Sequence, residues 1–204
     1  MAAFKFGFFS IAKRASPDRT WESAEVIVAM MRFIWPAATF DPVTHTLYIA
    51  HGSGIASMNA ATKAVTPHLA DAQGAHIAVP FAGGGKLLVT HGKANQVTLN
   101  DAKTGAVDAT IPTDAKPDAA LIEPTTGRGF VMANGGGTVD VIDLDRKAVI
   151  ARIAVGGAPE AATADGQGLV FTHLEDDSAI VVIDAKAMKV KATYRCATAR
   201  IRRE

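Results

Sequence analysis

The sequence predicts an all-β fold, a β-propeller built of four-stranded antiparallel blades, and three observations lead to that prediction. A pattern of about 42 residues recurs four times, marked by an Asn or Asp six residues before a Val, at Asn59, Asp101, Asp143 and Asp184. Each repeat contains four short runs rich in β-branched residues. Clusters of Gly, Pro, Asn or Asp separate these runs. Self-similarity at this period, with this internal order, is typical of propeller blades.

The third repeat shows the four strands most clearly. They are predicted at 117–122, 129–133, 138–142 and 148–155, with turns at 123–127, 134–137 and 143–147 between them. The second repeat has the same parts at 78–79, 86–90, 96–99 and 107–111. Short strands joined by such turns form an antiparallel meander. The first strands are rich in Ala because the innermost strands of a propeller converge on the central channel.

The recurrent Asn or Asp is predicted to have a structural role. An Asp side chain at the start of a turn accepts hydrogen bonds from backbone N–H groups two or three residues later, and Asn59 can do the same with its amide oxygen. We therefore assign Asp101, Asp143 and Asp184 to turns rather than to chemistry.

The pattern divides the chain into three parts. Residues 1–39 carry no repeat and are expected to be helical or disordered, since 21–33 have a helix-compatible composition; residues 40–194 hold about four repeats; residues 195–204 form a basic tail. Four repeats predict an incomplete, open-arc propeller. The loss of pattern at both ends is expected for a truncated or frame-shifted relative of a full propeller, or for an arc capped by a helix. Unpaired blade faces would favour self-association.

Composition limits the possible functions. The chain has 204 residues, of which 49% are hydrophobic, and a formal net charge of +1, so no global charge favours nucleic acid or acidic lipid. The single cysteine, Cys196, excludes an intramolecular disulfide and a cysteine-built metal site. The N-terminus is a poor secretory signal, and no apolar stretch approaches the ~20 residues that span a bilayer.

Several segments resemble the YVTN-type repeat of bacterial YncE-like β-propellers. They are FDPVTHTLYIA at 40–50, VDVID at 139–143, ARIAVGGAP at 151–159 and the EPTTG turn at 123–127. The resemblance covers about residues 40–194. It implies a propeller fold and export to the periplasm or cell surface. Because the N-terminus lacks a convincing signal, a cytoplasmic location is the alternative.

One set of candidate site residues occupies a single repeat position. His76, Asp118 and Glu160 are each 42 residues apart and begin the innermost strands, which places them at the rim of the channel. A His with two carboxylates suits a divalent cation such as Mn, Fe or Zn. The alternative is a solvated rim or a site for a polar ligand.

A second set is expected where the second strand of each repeat ends. It comprises His51, His91, Asn134 and His173, which could bind a ligand or simply cap the strands. The nearby acidic run 175–177 is predicted to be a solvated loop, and the alternative is that it joins a cation site.

Two functions follow from these patterns. Enzyme signatures such as GxSxG, HExxH, CxxC and a Walker loop are absent, which favours a non-catalytic propeller whose loop face binds a protein or small ligand. The alternative is a metal-dependent, lactonase-like hydrolase with a cation held in the channel by His76, Asp118 and Glu160. Nucleic-acid binding is disfavoured because aromatic residues are few and only the basic tail concentrates positive charge.

Overall fold

The computed structural model describes residues 37–195, and this part of the chain is built of antiparallel β-sheet with two short 3-10 turns. The strands are β1 (Ala38–Asp41), β2 (Thr46–Asn59), β3 (Val65–Phe81), β4 (Lys86–His91), β5 (Gln96–Asp101), β6 (Val107–Pro112), β7 (Pro117–Glu123), β8 (Arg128–Ala133), β9 (Thr138–Asp143), β10 (Ala148–Ala154), β11 (Pro159–Ala164), β12 (Leu169–Leu174), β13 (Ala179–Asp184) and β14 (Lys189–Arg195). The 3-10 turns cover Ala82–Gly84 and Asn134–Gly136. Three sheets result, and they confirm the all-β prediction.

The third and fourth repeats each form one four-stranded meander. The sheet orders are β7-β8-β9-β10 and β11-β12-β13-β14, with every neighbouring pair antiparallel. The strands of the third repeat begin and end within one residue of their predicted positions. The reason is that the Gly, Pro and Asp clusters mark each turn of this repeat directly.

The first two repeats differ from the prediction of separate blades, because they join into one six-stranded sheet, β1 to β6. The first half of β2 pairs with β1 and its second half with β3, whose own second half pairs with β4. Only three residues separate His51 from Ile55, whereas five separate His91 from Val97. The backbone of β2 therefore turns at Gly52, whose φ is 50°, with no separate loop.

The sheets pack face to face, and their buried faces form the core. Phe130, Val141 and Val181 belong to the cluster between the third and fourth repeats, and Leu88, Val131 and Ile142 to the cluster between the second and third. The first strand of the third repeat, β7, contacts both β3 and β11, as the inner strands of a propeller do. Within residues 37–195 the sheets form an arc that does not close into a ring.

The structure confirms the turn role of the recurrent Asn or Asp. The side-chain oxygen of Asp101 accepts hydrogen bonds from the backbone N–H groups of Lys103 and Thr104, at 3.0 and 2.8 Å. Asn59, Asp143 and Asp184 bind the equivalent N–H groups of their own turns. These side chains hold the turn between the third and fourth strands of every repeat.

The helix expected at 21–33 and the basic tail after Arg195 lie outside the described residues. Within residues 37–195, no helix has the length and apolar character needed to cross a membrane.

Candidate functional site

A cavity of roughly 600 Å³ opens at the end of the arc where the first strands of the repeats begin. Its charged and polar lining is contributed by His76, Lys116, Asp118, Glu160 and Glu175. His76 comes from β3, Asp118 from β7 and Glu160 from β11, so the repeat brings equivalent positions of three neighbouring strands together. Three carboxylates and one ammonium give the lining a negative balance when the imidazole is neutral.

His76 and Asp118 form the most closely bonded pair in the cavity. The Nδ1 atom of His76 lies 2.5 Å from Oδ1 of Asp118, and 17% of the Asp118 side chain is exposed compared with 43% of His76. The hydrogen bond from His76 holds the pKa of Asp118 below its ordinary value, against the opposing effect of burial. Since Nδ1 is engaged by the carboxylate, Nε2 is the ring nitrogen left for a ligand.

A glycine fixes the other side of the His76 ring. A Cβ atom built on Gly92 would lie 3.0 Å from Cδ2 and 3.1 Å from Nε2 of His76, closer than ordinary side-chain contacts. Any larger residue at position 92 would therefore displace the ring. The imidazole is held between the Asp118 carboxylate and the backbone at Gly92.

Glu160, the third member of the repeat set, pairs with a residue from the other predicted set. Its Oε2 atom lies 2.9 Å from Nε2 of His173, and both side chains are almost half exposed. His76, Asp118 and Glu160 thus line one cavity but are divided between two His–carboxylate pairs. No group of three or more His, Cys, Asp or Glu side chains within residues 37–195 is arranged to hold a metal ion.

A third polar chain crosses the cavity rim. The Lys116 ammonium donates to Oδ1 of Asn134 at 3.0 Å, and Nδ2 of Asn134 donates to Oε2 of Glu175 at 3.3 Å. The backbone N–H of Lys116 donates to the side chain of Asn95, which fixes the turn that carries Lys116. These hydrogen bonds link the sheet of the third repeat to the hairpin between β12 and β13.

The residues of the second predicted set do not share one repeat position. His51 and His91 lie in β2 and at the end of β4, Asn134 follows β8 by one residue, and His173 precedes the last residue of β12. Counted back from the Asx turn of each repeat, the four residues therefore occupy four different positions. The true equivalents of His91 are Ala133 and Leu174, which end β8 and β12.

The two remaining histidines of this set have distinct surroundings. His91 is buried, its Nε2 lies 2.9 Å from the hydroxyl of Thr98, and its Nδ1 accepts the Gln73 N–H. Burial lowers the pKa of His91, so the ring is neutral and structural. Nε2 of His51 is buried and has no hydrogen-bond partner among the described residues.

Sequence reasoning missed Lys116 as a lining residue and assigned Glu175 to a solvated loop, with a cation site as the alternative. Lys116 has a φ of 53°, and its repeat equivalent Gly74 has a φ of 65°. Both residues therefore lie in turns between blades. That signal locates Lys116 beside the channel, whereas its Lys identity alone does not. Glu175 is exposed, yet its hairpin overhangs the cavity.

The chain matches no protein-family profile and no curated relative. Among solved structures it is similar to the hydrazine synthase of Kuenenia stuttgartiensis, with a TM-score of 0.69 and 18% identity over 76% of this chain and 47% of that one. It is also similar to the dihydro-heme d1 dehydrogenase NirN in complex with DHE, with a TM-score of 0.63 and 17% identity over 80% of this chain and 38% of that one.

These likenesses show the fold. Both neighbours are β-propeller-type structures, in agreement with the three sheets described above. The present chain spans less than half the length of either neighbour. The identities are too low to assign an activity, because one propeller architecture carries many unrelated functions.

Proposed function

We propose that this protein is a non-catalytic β-propeller repeat protein of the YVTN, or YncE-like, type that binds a polar ligand at the cavity. One observation carries the proposal: equivalent residues of three successive repeats, His76, Asp118 and Glu160, line a single cavity of roughly 600 Å³. A cavity of that size with a few convergent polar groups is the usual form of a ligand site. The ligand is a small polar molecule or the side chains of a protein partner.

The free atoms of the cavity define what it can recognise. Each carboxylate has one oxygen engaged by a described residue, namely by His76, His173 or Asn134, and a second oxygen without such a bond. These second oxygens accept hydrogen bonds, so a ligand that donates them fits the lining.

A screen of polar small molecules by thermal shift and protein-observed NMR tests the proposal. Bound compounds should perturb the amide signals of Asp118 and Glu160. The substitution Asp118→Asn should lower their binding affinity by about tenfold, as expected for the loss of a charge-assisted hydrogen bond worth about 1.4 kcal/mol. Asp176→Asn in the exposed hairpin is the matched control and should leave binding unchanged. Compounds that shift only amide signals outside the cavity, or that bind the Asp118→Asn variant as tightly as the unmodified protein, would argue against the cavity as the site.

A metal-dependent, lactonase-like hydrolase is the second candidate. It is favoured by the presence of His76, Asp118 and Glu160 in one cavity, with Nε2 of His76 free and its Nδ1 held by a carboxylate, an arrangement common among metal-binding histidines. A cation there would act as a Lewis acid on a carbonyl oxygen. Glu160 would first have to leave His173. A melting temperature unchanged by Mn, Zn or Ca, together with no lactone hydrolysis, would eliminate this candidate.

The proposal also includes a cellular location and self-association of the protein. The YVTN-type resemblance supports a periplasmic or cell-surface location. Self-association through the last sheet is supported by the exposure of Ile180 and Tyr194, which are 39% and 63% exposed. Cell fractionation tests the location, and analytical sedimentation tests the self-association.

A further inference from the structure

A second cavity lies at the opposite end of the strands, between the second and third repeats. It has a volume of about 470 Å³ and is lined by Phe81 and Ala82 at the end of β3, Ile122 near the end of β7, residues 126–128 at the start of β8, which include Arg128, and the turn residues 143–145. We call it the turn-end groove. Asp118 and Ile122 lie near opposite ends of β7, so the groove is separate from the cavity proposed above as the ligand site.

The equivalent junction between the third and fourth repeats is bridged by an arginine of the chain itself. Arg128, the first residue of β8, extends across the junction, and its Nη1 donates to the backbone carbonyl of Ala185 at 3.2 Å. Ala185 is fully buried there. This contact shows that such a junction accepts a guanidinium at the turn carbonyl.

At the turn-end groove the corresponding side chain is held elsewhere. Lys86 is the repeat equivalent of Arg128, and its Nζ lies 2.5 Å from Oδ2 of Asp108 within its own sheet. The third repeat has Ile150 in place of Asp108, so nothing there diverts Arg128. The carbonyl of Leu144, equivalent to that of Ala185, receives no hydrogen bond from the residues that the structure describes.

We propose that the turn-end groove binds an arginine side chain of a partner protein. The stem would lie on Phe81, Ile122 and Leu144, which are partly buried apolar side chains packed against the core. The guanidinium would donate to the Leu144 carbonyl and to the exposed carboxylate of Asp145. The partner thus repeats, between chains, the contact that Arg128 makes within this chain.

The blocked peptide Ac-Ala-Arg-Ala-NH2 is a direct probe, and Ac-Ala-citrulline-Ala-NH2 is its uncharged isostere. In a titration of the isotope-labelled chain followed by NMR, the arginine peptide should shift the amide signals of Ile122, Leu144 and Asp145 in a saturable way. The citrulline peptide should bind about tenfold more weakly, because it lacks the charge. Equal binding of the two peptides, or shifts confined to the cavity at Asp118 and Glu160, would overturn the proposal.

Two variants sharpen the test. Asp145→Asn should weaken the arginine peptide by at least about threefold, whereas the exposed Asp176→Asn should not change it. Asp108→Ile releases Lys86, which can then cross the junction as Arg128 does and compete with the peptide; adding Lys86→Met should restore binding. Binding that is indifferent to Asp145→Asn, or to the release of Lys86, would contradict the assigned contacts.

Discussion

The carboxylate of Asp140 in β9 accepts a hydrogen bond from Nε of Arg152 in β10 at 3.1 Å. Its other oxygen accepts the backbone N–H of Asp114 at 2.8 Å, and no part of Asp140 is exposed. The equivalent residues are Ala56, Thr98 and Val181, so this carboxylate occurs only once in the four repeats. It joins the third strand of the repeat to the loop that enters the repeat.

Asp140→Asn should therefore destabilise the protein by about 1–3 kcal/mol. Both oxygens of Asp140 accept hydrogen bonds, so the amide nitrogen of Asn would face one of the two donors and leave that contact unmade. Urea unfolding followed by circular dichroism measures the change in free energy. Asp145→Asn, which alters an exposed carboxylate of the next turn, should stay within about 0.5 kcal/mol. A loss equal to that of the control would show that the buried contact contributes nothing.

Glu123 gives a second stability prediction with a control built into the repeat. Glu123 is fully buried and accepts hydrogen bonds from the backbone and hydroxyl groups of Thr125 and Thr126, at 2.7–2.9 Å. Its repeat equivalent, Asp165, is exposed and binds two backbone N–H groups. Glu123→Ala should cost about 1–3 kcal/mol, more than Asp165→Ala, because it removes the hydrogen bonds from Thr125 and Thr126 and leaves a gap where a fully buried side chain lay. Equal costs in parallel denaturation curves would refute the role of burial.

The turn after each recurrent Asx contains a residue with positive φ, four positions after the Asx. The residues are Lys63, Gly105, Lys147 and Met188, with φ of 61°, 74°, 55° and 53°. Replacing the exposed Lys63 by Gly should raise the free energy of unfolding by up to about 1 kcal/mol, because the left-handed conformation strains a residue with a Cβ. Gly105→Ala should be strongly destabilising, since its Cβ would also collide with the Leu69 carbonyl at 1.7 Å. Thermal unfolding of both variants checks the opposite signs.

The period of about 42 residues was sufficient to predict the sheets of the third and fourth repeats, because every turn there is marked by Gly, Pro, Asn or Asp. It was not sufficient for the first two repeats. The shortened connection between His51 and Ile55 removes a loop without removing any apolar residue of the pattern, so the fusion into one six-stranded sheet is not visible in the period.

The candidate site was predictable to the same extent. His76, Asp118 and Glu160 were found because they share one repeat position, and equivalent positions of neighbouring blades converge. The set of His51, His91, Asn134 and His173 was matched by residue type instead of by position. A shift of one residue reverses the face of a strand, which is why His91 is buried while 45% of the His173 side chain is exposed. The pairing of Glu160 with His173 joins the two sets. It depends on the length and direction of the two side chains, which the repeat pattern does not specify.

Asp118 also predicts how stability depends on pH. Its hydrogen bond from His76 keeps its pKa in the folded protein below the value of about 4 that an unfolded aspartate has. The stabilisation is therefore fully present above that value, and it is lost as the pH falls through the folded pKa, because the unfolded chain then binds the proton more readily. Asp118→Asn should flatten the acid limb of a plot of melting temperature against pH. Asp176→Asn is the control and should leave that limb as steep as in the unmodified protein, and an Asp118→Asn limb of equal steepness would show that the pair with His76 does not contribute.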